Sequence, residues 1–237
     1  MAVARRRFLG AAAVSLGLAG LRSLFDAERL LAVHPTDRFG PLVDDPEGIL
    51  ALPEGFSYRI VSRAGDRMND GLIVPTAHDG MAAFPGPDGL TLLVRNHEVS
   101  WGAPADRGPF GEGHRLLETI DPDRIFDPGT GAGPALGGTT TLLFDTRTQR
   151  LVGHRLSLVG TVRNCAGGPT PWGTWVTCEE TVQRAGDGRL HDHGWNFEVP
   201  AIWDAPLAEP VPLKAMGRFN HEAIAVDPAS GAVYETE

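Results

Sequence analysis

Short apolar runs recur along this chain, and turn residues separate them. The runs Phe56–Ser62, Leu90–Arg95, Thr139–Asp145, Arg150–Val159, Thr174–Thr177, Ala223–Val226 and Ala232–Tyr234 each predict a strand. No long stretch after residue 32 keeps its apolar positions at helical spacing, so the pattern predicts an all-β chain. Residues 102–135 are rich in proline, glycine and charge, and predict a long loop or insertion that covers a site.

Three stretches repeat one plan: polar group, strand, Pro/Gly turn, strand, carboxylate. The first runs from His78 through the turn Pro85–Gly89 to Asn96-His97-Glu98. The second runs from Asn164-Cys165 through Pro169–Gly173 to Cys178-Glu179-Glu180. The third runs from Asn220-His221-Glu222 through Asp227–Gly231 to Glu235-Thr236-Glu237. A hairpin returns the chain to the end where it began, so each opening polar group lies beside its closing carboxylate. Hairpins repeated at intervals of roughly 40–80 residues predict a β-propeller rather than a sandwich. Its channel mouth would gather Glu98, Glu179 or Glu180, Glu222 and Glu237. About 200 residues hold about four blades. The chain stops on strand-like residues, Tyr234-Glu235-Thr236-Glu237, so a partial propeller from a longer protein is expected.

The N-terminus differs in kind. Arg5-Arg6-Arg7-Phe8-Leu9 opens an apolar run to Leu21, shorter than the roughly 20 residues that span a bilayer. Paired arginines before Phe-Leu predict a twin-arginine signal, with the export machinery of that route as partner and a periplasmic or secreted destination. The expected organisation is a signal over 1–32, cleaved near Ala32, and one β domain over 33–237. The route moves folded proteins, which suits a protein loaded with a cofactor before export.

Charge narrows the partners. The net charge is −9, and removing residues 1–32, with five arginines against Asp26 and Glu28, takes it to −12. Lys214 is the only lysine. Such acidity argues against nucleic acid or an anionic membrane surface as partner, and no stable membrane span is expected. It fits either a solubilising surface or carboxylates that bind cations.

Like charges held close together need a cation between them. Asn96-His97-Glu98 recurs as Asn220-His221-Glu222. In an extended segment Asn and Glu face one way and His the other, so amide and carboxylate oxygens suit a hard cation such as calcium. Cys165 is either a softer ligand that favours iron or one half of a disulfide with Cys178. His191-Asp192-His193 lies after Gly186-Asp187-Gly188 and predicts a surface loop. Serine-hydrolase, nucleotide-binding and zincin motifs are missing from the positions they require.

Arg95-Asn96-His97-Glu98, Gly137-Gly138-Thr139-Thr140-Thr141, the stretch from Arg163-Asn164-Cys165-Ala166-Gly167-Gly168 to Thr177-Cys178-Glu179-Glu180-Thr181, and Gly217-Arg218-Phe219-Asn220-His221-Glu222 with Tyr234–Glu237 resemble the PhoX family of secreted alkaline phosphatases. The resemblance runs in order from about residue 45 to the end. It implies a propeller phosphatase acting on small phosphate esters through an iron (Fe3+) and calcium (Ca2+) cluster. By motif position Cys165 would be an iron ligand, and Glu98, Glu179 or Glu180, Glu222 and Glu237 would share the two metals, with Asn96 and Asn220 behind them. Catalytic groups would lie largely in further blades, so these 237 residues alone are expected to be inactive unless those groups come from elsewhere. Two other readings stay open: a non-catalytic, calcium-stabilised exported propeller, and a disulfide-stapled exported domain without metal.

Overall fold

The computed structural model of the chain describes residues 39–131 and 133–237. The predicted signal around Arg5–Leu9 lies outside the described residues. Two compact units divide at Arg59 and Ile60. In the first, β1 (Leu42–Val43) pairs antiparallel with β2 (Leu52–Pro53). The Asp45 carboxylate ties the turn between them, accepting from the backbone N–H of Glu47, Ile49 and Leu50 and from the Tyr58 hydroxyl.

The second unit is built of consecutive antiparallel strands. β3 (His78–Pro85), β4 (Thr91–His97), β5 (Gly137–Asp145) and β6 (Arg150–Thr161) form a four-stranded meander. β7 (Asn164–Pro169), β8 (Thr174–Glu179) and β9 (Asn196–Pro200) form a three-stranded one. β10 (Ile224–Val226) and β11 (Val233–Glu235) make a final hairpin. All three predicted hairpins are therefore present, joined at their Pro/Gly turns. Phe56–Ser62, predicted as a strand, forms none, because it has no ladder partner among the described residues. β9 went unpredicted.

Apolar residues fill the two faces of the meander. Phe84, Leu92, Val94, Leu143 and Leu158 pack with Trp175, Phe197 and Val199 of the second sheet. On another side, the segment between β4 and β5 packs Val99, Phe110, Ile125 and Leu136 onto Met68, Leu72, Val74, Leu156 and Val159. That segment carries only short 3-10 turns, so the predicted loop is a loop, but a packed one. Cover on both faces explains why β5, whose run Gly137-Gly138-Thr139-Thr140-Thr141 is scarcely apolar, is buried from Gly137 to Leu143.

The predicted propeller of about four blades is met in its all-β character only. Four sheets hold two, two, four and three strands, and among the described residues they close no ring. A blade needs four paired strands. Only the β3–β6 sheet has them. No helix among the described residues is long and apolar enough to cross a membrane.

Candidate functional site

Two β-bulges build the site. His78 pairs with His97 and Met81 with Arg95, which leaves Asp79-Gly80 opposite Asn96. Asn164 pairs with Glu179 and Gly167 with Thr177, which leaves Cys165-Ala166 opposite Cys178. A bulge bends its strand and re-aims side chains, and bulges concentrate beside active sites. The two bulges touch. A Cβ on Gly80 would sit 2.7 Å from Ala166 Cα and 2.8 Å from the Cys165 carbonyl oxygen, so no side chain fits there. Asn96, fully buried, locks the contact: its Nδ2–H donates to the Ala166 carbonyl at 2.6 Å. Its Oδ1 accepts from Trp175 Nε1 at 2.8 Å and from the Thr177 hydroxyl at 2.9 Å.

The three hairpin ends converge at this point. The Cys165 sulfur lies 3.5 Å from the Glu222 carbonyl oxygen and 3.6 Å from that of His221, which joins the second hairpin to the third. Arg163 joins the first to the second. Its guanidinium reaches Glu98 Oε1 at 3.0 Å and Glu180 Oε2 at 2.6 Å. Arg163 holds a left-handed backbone, φ 53°, clamped by its N–H on the Val99 carbonyl and its carbonyl under the Glu180 N–H. Such a conformation costs a residue with a Cβ about 1–2 kcal/mol. The strain aims the guanidinium at both carboxylates. Burial disfavours its charge, but Glu98 and Glu180 outweigh that and hold its pKa above the ordinary value.

Both cysteines are free thiols, so no disulfide joins Cys165 to Cys178. Cys178 packs with Val176 and Ile224. Burial, with the negative charges of Glu180, Glu222 and Asp79, pushes the Cys165 thiol up to about 11. A cation bound here would reverse that balance and favour the thiolate.

Glu179, one residue from Glu180, serves another purpose. Its side chain is fully buried, and its Oε1 accepts from the Val162 N–H at 2.8 Å and from His193 Nδ1 at 2.7 Å. Its Oε2 accepts from the N–H groups of Gly194 at 2.8 Å and Trp195 at 3.1 Å. The other ring nitrogen of His193 meets buried Asp127 at 3.1 Å. Asp127 also accepts from the N–H groups of Gly129, Leu190 and His191. Burial alone would lower the His193 pKa, but the two carboxylates outweigh it and raise the value to about 9. Burial likewise works against the Asp127 charge, and His193 with the backbone donors outweighs it, leaving about 2. His193 therefore carries its proton at neutral pH. The predicted surface loop His191-Asp192-His193 is a loop, but only His191 is exposed.

Of the predicted residues, Glu98 and Glu180 share the Arg163 guanidinium, and the Cys165 thiol lies against the backbone of Glu222. The structure turns Glu179 and Asn96 into fully bonded supports. Asn220 is half-buried one position before His221, whose ring meets Glu235 at 2.6 Å. Glu237 is exposed just past β11, after Thr236, whose backbone accepts from the Glu222 N–H and donates to the Ala223 carbonyl. Sequence reasoning missed Asp79, Asp127, Arg163 and His193. The Arg-Asn-Cys run and the His-Asp-His triplet were the available signals.

A thiol among carboxylates fits an iron and calcium group in donor chemistry, soft sulfur for one metal and hard oxygen for the other. Among the described residues no three acidic, histidine or cysteine side chains stand at ligand spacing around one point. Arg163 supplies the positive charge that Glu98 and Glu180 share.

An all-β protein with an acid-and-thiol cluster at its hairpin ends is the class that fold and site define. The chain belongs to the PhoX alkaline phosphatase family, whose model matches residues 37–108 and 114–237. Searches of curated proteins and of solved structures found no match.

Proposed function

We propose that this chain works as an exported, metal-dependent phosphatase on small phosphate monoesters. The observation that carries the proposal is the convergence of three hairpin ends on the Cys165-Ala166 bulge, where Gly80 and the Glu222 backbone meet it and Arg163 next to it holds Glu98 and Glu180. Cys165, Glu98, Glu180, Glu222 and Glu237 would hold iron and calcium. Glu180 takes this role rather than Glu179, whose oxygens already accept four hydrogen bonds. When bound, the metals neutralise the phosphate ester and activate an oxygen nucleophile.

The chain's own residues shape the place for that chemistry. The Cys165-Ala166 bulge aims the thiol, Asn96 fixes the bulge, and Arg163 keeps Glu98 and Glu180 facing one another. The Asp127–His193–Glu179 chain pins β8 immediately before Glu180. Residues 1–32 would act as the twin-arginine signal that delivers the folded domain, 33–237, to the periplasm or the exterior.

Elemental analysis of the purified protein tests the reading. Iron together with calcium, with iron lost in Cys165→Ala, is the expected result. Calcium alone would favour a stabilised binding module instead, and neither metal would overturn the assignment.

A further inference from the structure

A cavity of about 300 Å³ opens beside Glu98, lined among others by Thr76, Ser100, Ala103, Pro104 and Arg107. That is the small end of ligand pockets, which run from about 300 to 1,000 Å³, so it suits a small ester and not a polymer. Its lining carries one carboxylate and one guanidinium. Glu98 is already matched by Arg163 at 3.0 Å. Arg107 is the only cation of the lining. The Arg107 guanidinium makes no ion pair or side-chain hydrogen bond among the described residues. Its backbone is fixed: the Arg107 carbonyl accepts from both the N–H and the hydroxyl of Thr76, at 2.9 and 3.2 Å. Its N–H closes a turn on the Pro104 carbonyl. The backbone is held while the charge is left over.

We infer that this cavity seats the phosphoryl oxygens of the substrate, with Arg107 as the cation that anchors them next to Glu98. The inference rests on the phosphatase reading and adds the residue that recognises the anion. An acidic chain repels a phosphate ester, so a spare arginine in the cavity lining is what an anionic ligand requires. A planar guanidinium can meet two phosphoryl oxygens at once, which an ammonium cannot. Arg107 is a binding residue, and no proton or bond passes through it.

Titration calorimetry of the metal-loaded full chain with inorganic phosphate tests this, using Arg107→Ala, Arg107→Lys and the distant control Arg147→Ala. Arg107→Ala is expected to weaken phosphate binding about tenfold or more, with Arg107→Lys in between, and Arg147→Ala unchanged. The side chain is exposed, so all three variants should melt with the parent. Equal phosphate affinity in Arg107→Ala and the parent overturns the inference and leaves the phosphatase reading intact. A parent that holds both metals and binds no phosphate overturns both.

Discussion

Glu179 and Glu180 are neighbours in sequence and belong to two different kinds of place. Glu179 ends inside a dry region, with both oxygens bonded and a protonated histidine against it. Glu180 ends in an open region, about a quarter exposed, and shares one arginine with Glu98. A carboxylate saturated with donors stabilises a fold and has no lone pair left for a ligand. A carboxylate balanced by one movable cation can exchange that cation for another. Alternation along a strand puts the two roles side by side.

The largest contrast should appear on removing each charge. Glu179→Gln leaves His193 and Asp127 without their balance in a buried site, and should cost about 3–5 kcal/mol in chemical denaturation. Glu180→Gln should cost less than about 1 kcal/mol, because its ion pair is partly solvated. It should lower bound metal instead. Equal stability losses would dissolve the distinction between the two regions.

Gly80→Ala probes the join between the bulges. The added methyl meets Ala166 and Cys165 backbone, and overpacking of this kind costs about 1–3 kcal/mol. Metal content should fall with it, because the thiol moves.

The dry region also has a pH signature. His193 has a folded-state pKa raised to about 9 from an ordinary 6.5. Its stabilisation is fully present below 6.5 and is lost as pH rises through about 9. Melting temperature should therefore fall over that window, and His193→Gln should flatten the fall. The smallest effect is expected at Arg147→Ala on the β5–β6 turn, within about 0.5 kcal/mol of the parent.

The hairpins were legible because their signals are local. Pro85–Gly89, Pro169–Gly173 and Asp227–Gly231 mark the turns, and alternation marks the strands. Their ends are where Glu98 and Glu180 share Arg163 and where the Cys165 thiol lies against the Glu222 backbone. What stayed hidden is long-range. Arg163 reaches Glu98 across 65 positions, and His193 reaches Asp127 across 66. Nothing in the local pattern of Glu179-Glu180 separates the fully bonded residue from the open one. The number of blades was overpredicted because repeated hairpins resemble blades whether or not a fourth strand completes each sheet.

The central claim is that the open cluster, and not the dry one, is the metal site. Iron content of the purified parent, Cys165→Ala and Cys178→Ala, measured side by side, decides it. The account predicts iron in the parent and in Cys178→Ala, and its loss in Cys165→Ala. Iron retained without Cys165, or lost only without Cys178, would contradict it.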